Sequence, residues 1–255
     1  MMEIDIYQRG YLMDLKLIEN QLLELDSNFI DISSINKERV ISFINSLRSL
    51  IFPKCFKREH TIKRIYIELS EILGFLGLNN VYVIVDEFFN KLVDIKELLL
   101  KDLEMYITKD PAAYSKEEII ISNNSFYSIF IYRISHLLHN LKVPYIPKIL
   151  SEYAHSITGI DIHPACTIGQ YFFIDHGTGI VIGETTIIGN YVSIYQGVTL
   201  GAKSLKEGSS LKGVKRHPTI EDNVVIYANA TILGGNTIIK ENSIIPGNAF
   251  IIKSN

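Results

Sequence analysis

The chain has 255 residues, of which 47% are hydrophobic and 21% charged, a composition typical of a globular protein and not of a disordered one. Its formal net charge of −3 argues against the basic surface of a nucleic-acid-binding protein. Two cysteines cannot form a disulfide framework, the N-terminus lacks the pattern of a signal peptide, and no apolar run reaches the roughly 18 residues that span a bilayer. We therefore expect a soluble protein of the reducing cytoplasm.

Apolar residues recur at helical spacing up to about residue 157, in stripes over residues 44–51, 65–76, 81–106 and 126–141. Pro53 follows the first stripe, and Gly74 and Gly77 end the second. After Pro144 and Pro147 we expect only one or two further turns of helix. The pattern predicts an α-helical domain over residues 1–157, whose stripes form the core and the contacts between subunits.

After Gly159 the apolar period becomes six residues. Thirteen positions follow this step in two runs, and eleven of them are Ile or Val, with Thr186 as the one polar member. They are Ile162, Ile168, Ile174, Ile180, Thr186, Val192 and Val198, then Ile220, Ile226, Ile232, Ile238, Ile244 and Phe250. Such a hexapeptide repeat indicates a parallel β-helix, in which three hexads make one triangular coil and each aliphatic side chain points inward. Residues 158–255 are therefore predicted to form a β-helix domain, which makes the fold class α+β.

The corners of the coils and one insertion complete this prediction. Residues that tolerate positive φ are expected at the corners, namely Gly169, Gly189, Asn190, Gly234, Asn236, Asn242 and Gly247. Residues 201–216 break the six-residue step, so we expect them to leave the coil as an extruded loop, which is where solenoid proteins often carry function.

Three histidines lie in or beside the coils. His176 is flanked by Asp175 and a glycine-rich turn, and a neutral imidazole is suited to take a proton from a hydroxyl group that attacks a carbonyl carbon. Asp161 precedes it by 15 residues, which places the two on neighbouring coils and allows a contact, although Asp161 could equally cap the entry to the first coil. His163 is interpreted as a structural residue, and His217 lies where the loop rejoins the coil.

A metal site is not expected. Cys166 occupies the fifth position of its hexad, where small buried residues are expected, as at Ala230. Zinc needs three or four convergent nitrogen or sulfur ligands, so we interpret Cys166 as part of the core.

Six segments of the chain carry a resemblance to a known family. They are DIHPA (161–165), IDHGTGIVIGET (174–185), VTLG (198–201) and KRHPTI (215–220), with KDPA (109–112) and YRISH (132–136) upstream. Together they resemble the serine acetyltransferase family of hexapeptide acyltransferases, over roughly residues 105–250. The resemblance implies a left-handed β-helix and a homotrimer, often paired into a hexamer through the helical domains.

The resemblance also implies roles for individual residues in a direct acetyl transfer from acetyl-CoA to L-serine. His176 would be the general base and Asp161 its carboxylate partner. The two ends of the serine zwitterion would be held by His217 and Arg216, from across a subunit boundary, and by Asp110 and Asp175, which would accept hydrogen bonds from the ammonium group. An arginine suits the carboxylate because its planar fork matches it.

Acetyl-CoA is expected along the coil surface between protomers. The resemblance implies contacts with Gly201, Ala202 and Ala228, and the loop lysines Lys203, Lys206, Lys212 and Lys215 could hold its phosphates. L-Cysteine is a possible feedback inhibitor. The chain departs from the family in its longer 201–217 loop and in ending at Asn255 without the isoleucine-terminated tail, so we do not expect a complex with O-acetylserine sulfhydrylase.

Other functions remain open at this stage. An acyltransferase for a sugar or a drug would share the coils and the histidine without needing charges for a zwitterion, and homoserine would fit those charges nearly as well as serine. A zinc protein of the γ-class carbonic anhydrase type would be recognised by metal analysis. A catalytically idle scaffold would have no chemical use for Asp161, His176 and His217.

Overall fold

A computed structural model describes residues 15–25, 32–33, 35–204, 210 and 213–252. They belong to two compact units. The first comprises residues up to 34 and contains helix α1 (Leu15–Leu25), and the second begins at residue 35 and contains every other described element. All the predicted site residues lie in the second unit.

The N-terminal part of the second unit is helical. Its helices are α2 (Lys37–Ile51), α3 (Ile62–Gly74), α4 (Val81–Asn90), α5 (Leu92–Lys109), α6 (Lys116–Ser122), α7 (Asn124–Asn140) and α8 (Ile146–Thr158). Asn36, Thr61, Ser115 and Asn123 cap four of them by accepting a hydrogen bond from the first turn. The stripe over 81–106 is two helices joined at Lys91, and the last helix is longer than the one or two turns predicted.

The C-terminal part is a triangular prism of short parallel strands. Sheet A contains β1 (Asp161–Ile162), β4 (Val181–Ile182), β7 (Thr199–Gly201), β10 (Thr231–Leu233) and β13 (Phe250–Ile251); sheet B contains β2 (Thr167–Ile168), β5 (Ile187–Ile188), β8 (Thr219–Ile220) and β11 (Ile238–Ile239); sheet C contains β3 (Phe173–Asp175), β6 (Ser193–Tyr195), β9 (Val225–Ile226) and β12 (Ile244–Ile245). Each coil contributes one strand to each sheet. The predicted fold, helices followed by a left-handed parallel β-helix, is confirmed.

The six-residue step holds within a coil but not across every corner. Ile162 pairs with Ile182, twenty residues on, because the first coil contains two residues more than the regular eighteen. The residues that stack on the first three hexads are therefore Ile182, Ile188 and Ile194, two places beyond the predicted Ile180, Thr186 and Val192. The predicted residues are nevertheless buried, since each hexad has a second inward position.

A second shift changes the last coil. Ile220, Ile226 and Ile232 pair with Ile239, Ile245 and Ile251, nineteen residues on. The predicted inward positions in this coil were therefore wrong by one residue, and Ile244 and Phe250 are 67% and 65% exposed. The extra residue follows β10, where Gly234 has a φ of +102°.

Corner residues divide into two kinds. Of the predicted positive-φ positions, Gly234 and Asn242 are confirmed, whereas Gly169, Gly189, Asn190, Asn236 and Gly247 have ordinary φ values. Gly169 is required for another reason: a Cβ there would lie 2.6 Å from the carbonyl oxygen of Gly189 in the next coil. Tyr171 and Tyr191 instead adopt left-handed corners, with their rings stacked 4.3 Å apart.

The helices close the open end of the prism. Some carbonyl groups of the first coil accept hydrogen bonds from the second coil, whereas those of Cys166, Ile168 and Gly169 accept from the helices instead. Helix α7 supplies several of these donors: Tyr132 donates to Cys166 O at 2.8 Å, and Arg133 donates to the carbonyls of Ile168 and Gly169 at 2.6 Å. Arg133 is also paired with Asp102 at 3.0 Å, both side chains being buried.

Helices and coils share one hydrophobic core, in which Cys166 is fully buried, as predicted. The division into domains at residues 157 and 158 stays a prediction. Within the described ranges, no helix combines the length and the apolar character needed to cross a membrane.

Candidate active site

His176 sits on a bulge of the first coil. The two extra residues of that coil fall between β3 and β4: Ile174 and Ile182 are eight residues apart, whereas the corresponding Ile194 and Leu200 of the next coil are six apart. His176 has a φ of +55°, a conformation that costs a residue with a Cβ about 1–2 kcal/mol. The bulge carries its side chain outward, where it is 73% exposed.

Contacts from both sides hold this bulge in place. Ser125 of α7 donates a hydrogen bond to the carbonyl oxygen of His176 at 3.1 Å. Gly177, with a φ of +89°, leaves no room for a side chain, because a Cβ would lie 2.4 Å from Cδ1 of Ile160. Gly197 of the next coil donates its N–H to the carbonyl of Thr178 at 2.9 Å. The backbone of His176 is therefore fixed while its ring faces solvent.

The carboxylate beside His176 is Asp175, whose Oδ1 lies 3.8 Å from Nε2 of His176. The spacing of 15 residues had suggested that Asp161 and His176 lie on neighbouring coils, but they lie on the same coil. Asp161 opens the coil that His176 closes, and it pairs with Val181 just beyond the bulge. No hydrogen bond joins Asp161 to His176, both of which belong to the described part of the chain. The role of Asp161 as the orienting carboxylate thus stays a prediction.

Asp110 ends helix α5, where its Oδ1 accepts a hydrogen bond from the N–H of Ala112 at 2.8 Å. One turn earlier, Tyr106 packs edge-on against Phe173 of β3, with ring centroids 4.8 Å apart. This packing brings the end of α5 to the strand that carries Asp175.

His217 lies at a different corner, the one between sheets A and B. It is 7% exposed, and its ring covers Gly183, where a Cβ would lie 2.1 Å from the ring. Its Nδ1 accepts a hydrogen bond from the N–H of Thr185 at 3.1 Å and lies 2.9 Å from the Thr185 hydroxyl. Burial, reinforced by the charge of Arg216, lowers the pKa of His217 to about 4. His217 is therefore neutral at neutral pH.

Arg216 is held by two residues that the sequence analysis did not single out. Its guanidinium forms an ion pair with Glu184, and its backbone N–H donates to Oγ1 of Thr185 at 2.9 Å. Partial burial raises the pKa of Glu184, but the hydrogen bond and the charge of Arg216 outweigh burial and keep that pKa below its usual value. Glu184 and Thr185 both lie in the GET sequence that ends the 174–185 segment. Their contacts with residues 216 and 217 span one coil plus the loop, so the six-residue step alone could not reveal them.

Lys215 was expected among the lysines that hold phosphates, and the structure gives it another role. Its Nζ donates to the backbone carbonyls of Thr185 at 2.7 Å, Pro218 at 3.1 Å and His217. The ammonium group therefore fastens the end of the loop onto the preceding coil. Lys203 is exposed, so it stays a candidate for binding the phosphates of acetyl-CoA. Lys206 and Lys212 lie outside the described residues.

The predicted coenzyme contacts lie at two corners. Gly201 ends β7, and Ala202 follows it at the corner that leads out of sheet A. Ala228 precedes β10 at the corner that leads into sheet A. The two groups therefore border one face of the prism from opposite edges.

The catalytic candidates divide in the same way. Asp175 and His176 lie at the corner from sheet C into sheet A, whereas Arg216 and His217 lie at the corner from sheet A into sheet B. A side of six residues spans at most about 20 Å. The catalytic candidates thus form two groups at opposite edges of sheet A, which we call the two partial sites. Among the described residues, no three His, Cys, Asp or Glu side chains converge in a way that could hold a metal ion.

Comparison with known proteins gives consistent results, although no protein-family model matches the chain. The plasmid serine acetyltransferase of Synechococcus elongatus is 51% identical over 150 residues, which are 58% of this chain and 47% of that protein. A serine acetyltransferase of Helicobacter pylori is 46% identical over 132 residues, 52% of this chain and 74% of that protein. The chain thus spans about half the length of the Synechococcus relative.

Solved structures superpose on most of this chain. Serine acetyltransferase 1 of Entamoeba histolytica, in complex with L-cysteine, superposes with a TM-score of 0.66 at 32% identity, over 93% of this chain and 96% of that chain. A serine acetyltransferase in complex with CoA superposes with a TM-score of 0.60 at 26% identity, over 85% of this chain and 91% of that chain. With identity above 30% over most of the length of such relatives, the chain belongs to the serine acetyltransferase family.

Proposed function

We propose that the chain is a serine O-acetyltransferase, which transfers the acetyl group of acetyl-CoA to the hydroxyl of L-serine and gives O-acetyl-L-serine and CoA, the first step of cysteine biosynthesis from serine. The observation that carries the proposal is the bulge at His176, which presents an exposed imidazole beside the carboxylate of Asp175, in a chain of this family. Two unpaired cysteines are compatible with a cytoplasmic location, which we also propose.

His176 acts as the general base in this proposal. Its ring accepts the proton of the serine hydroxyl while the serine oxygen attacks the thioester carbon of acetyl-CoA. The new C–O bond forms, the C–S bond breaks, and the proton passes to the departing sulfur. Asp161 orients the imidazole once substrate and partner subunit complete the site. No acyl-enzyme is involved, so both substrates must be bound together.

Charged groups of opposite sign recognise the two ends of serine. Asp110 and Asp175 accept hydrogen bonds from the ammonium group, and the packing of α5 against β3 supports their proximity. Arg216 and His217 bind the carboxylate. The ion pair with Glu184 supports this assignment, because it fixes the direction of the Arg216 guanidinium before substrate arrives.

A site of this kind needs two protomers. The two partial sites lie at opposite edges of sheet A, so we propose that His176 of one protomer faces Arg216 and His217 of its neighbour in a homotrimer, alone or as a dimer of trimers. Acetyl-CoA would then lie along the coils between protomers, with Gly201, Ala202 and Lys203 contributed from one side and Ala228 from the other. L-Cysteine, which carries the same zwitterion as serine, would compete for the site. The cysteine bound to the Entamoeba relative supports this.

The test is the release of CoA thiol from acetyl-CoA by the purified chain with different acceptors. L-Serine, L-homoserine, D-serine, a simple sugar and no acceptor are compared at equal concentration. We expect release that depends on L-serine, together with O-acetyl-L-serine identified by mass spectrometry. Release with the sugar alone would discard the zwitterion site, and a folded protein inactive with every acceptor would contradict the enzymatic function. Faster release with L-homoserine than with L-serine would show that homoserine is the acceptor, and the rest of the proposed mechanism would stand.

A further inference from the structure

Thr185 contacts Arg216 and His217 through its hydroxyl group and its backbone N–H. Its hydroxyl oxygen accepts the N–H of Arg216 at 2.9 Å and the N–H of His217 at 3.1 Å. The same oxygen lies 2.9 Å from Nδ1 of His217, and the backbone N–H of Thr185 donates to that nitrogen at 3.1 Å. We propose that Thr185 is a positioning residue that locks His217 in the tautomer with its hydrogen on Nε2, so that His217 meets the substrate as a hydrogen-bond donor.

The donor and acceptor roles follow from the chemistry of the two groups. A backbone N–H can only donate, so Nδ1 of His217 must offer its lone pair and carry no hydrogen. A hydroxyl group has two lone pairs and one hydrogen, and two backbone N–H groups already occupy the lone pairs of Thr185. Its hydrogen is therefore directed at Nδ1 as well. Both donors favour the same tautomer.

The surroundings of the ring remove the alternatives. The absence of a side chain at Gly183 lets the ring lie close against the coil, and Lys215 donates hydrogen bonds to the carbonyl groups of Thr185 and His217, which holds both residues in place. The charged and titratable groups that face the ring are Arg216, Lys215, Glu184 and His163. The pKa of His217, lowered to about 4 chiefly by burial, agrees with a neutral ring.

The inference deepens the proposed function and rests on it for its consequence. A donor at Nε2 suits a ligand carboxylate, as at the α-carboxylate of an amino acid, and does not suit a second base. Proton abstraction is then assigned to His176 alone. The tautomer itself does not depend on the reaction.

The first test reads the tautomer directly by NMR of the full chain labelled with 15N in its histidine rings. A His217→Gln variant assigns the signals among the seven histidines. We expect His217 to show a protonated Nε2 and an unprotonated Nδ1 at every pH from about 6 to 8. A hydrogen on Nδ1 in that range, in either the neutral or the charged ring, would overturn the proposal. The spectrum decides this even if the protein transfers no acetyl group.

The second test compares Thr185→Val with Thr185→Ser. Valine removes the hydroxyl and keeps the shape, whereas serine keeps the hydroxyl, so the pair isolates the hydrogen bonds. Thr185→Val also releases the backbone N–H groups of Arg216 and His217 from the hydroxyl oxygen, which lets the ring move away from the N–H of residue 185. We therefore expect this variant to raise the serine KM about 10-fold or more, as loss of a hydrogen bond to a charged ligand does, and to give a mixed tautomer signal. The KM for acetyl-CoA should change less than 3-fold. Thr185→Ser should restore both serine KM and tautomer. A folded Thr185→Val protein with the wild-type serine KM and the wild-type tautomer signal would refute the role. If Thr185→Val does not fold, a spectrum of Thr185→Ser or of the wild type with a hydrogen on Nδ1 of His217 would still refute it.

Discussion

The two histidines of the proposed site differ in what surrounds each ring. The side chain of His176 is 73% exposed and meets one carboxylate at 3.8 Å. His217 is 7% exposed, and its Nδ1 is occupied by Thr185. An imidazole that takes up a proton needs an accessible lone pair and a nearby carboxylate, whereas one that donates needs a fixed tautomer. The two environments therefore fit the two different roles proposed for these histidines.

We predict that His176→Asn lowers kcat by about 10²–10⁴-fold, the range for loss of a general base. Asparagine tolerates positive φ, so the bulge should keep its backbone and the unfolding curve should not move. Steady-state kinetics with L-serine and acetyl-CoA measure the effect. His155→Ala, on the exposed face of α8, is the matched control and should keep full activity. Wild-type kcat in a folded His176→Asn protein would remove His176 from the role of base.

The lowered pKa of His217 leads to a prediction of how the free energy of unfolding depends on pH. This pKa is about 4 in the folded protein and 6.5 in the unfolded chain, so between these values only the unfolded chain binds a proton there. The contribution of His217 to the free energy of unfolding is therefore complete above about pH 6.5 and falls as the pH drops toward 4. Urea unfolding at several pH values should show a shallower fall in this window for His217→Gln than for the wild type. Equal slopes would contradict the buried, neutral ring.

At the scale of elements, irregularities in the repeat build the site. A regular coil of eighteen residues would leave no projecting turn between sheets C and A, whereas two extra residues create the bulge under His176. Gly177 makes the bulge possible, since the turn combines a positive φ with contact against Ile160. The loop after β7 similarly delivers Arg216 and His217 to a corner, where Lys215 fastens it.

We predict that Gly177→Ala lowers the free energy of unfolding by about 2–4 kcal/mol, from strain at positive φ and from overlap with Ile160. Gly77→Ala is the matched control: its φ is +66° but nothing lies within 4 Å of the added Cβ, so it should cost about 1 kcal/mol. Urea unfolding measures both, and kcat should fall only in Gly177→Ala. Equal costs would show that the contact with Ile160 is unimportant.

At the scale of the whole molecule, helices and coils depend on one another. The helices supply donors to the carbonyl groups of the first coil, through Tyr132, Arg133 and Ser125. The last of these bonds ends on His176, so the packing of α7 sets the position of the bulge. The prism in turn separates the two partial sites by one side of the triangle. This separation is the reason for the proposal that a complete site forms between two protomers.

We predict that two inactive variants complement each other. Co-expression of His176→Asn with Arg216→Ala in equal amounts should form mixed trimers in which one site in three pairs an intact His176 with an intact Arg216, so that about a quarter of the sites in the whole population are intact. Thiol release at low serine concentration should then approach about a quarter of the wild-type value. Each variant expressed alone is the control and should stay inactive. Mixed trimers without activity, with subunit mixing shown by two affinity tags, would place both residues in a site within one protomer.

Sequence alone predicted the features that repeat locally. The helical stripes, the six-residue step and the loop that interrupts it appear in the fold, because inward positions on a helix or a coil are spaced by the local geometry of the backbone. The segments around His176 and His217 also predicted the family. Their individual catalytic roles stay predictions.

Only the tertiary structure decided the register of the coils and the neighbours of each site residue. One extra residue changed the inward position from Ile238 to Ile239, and two extra residues placed Asp161 in the same coil as His176. Thr185 and Glu184 meet His217 and Arg216 across 32 residues, a separation that includes a loop of irregular length. Such contacts depend on how many residues each corner holds. A six-residue period carries no information about that number.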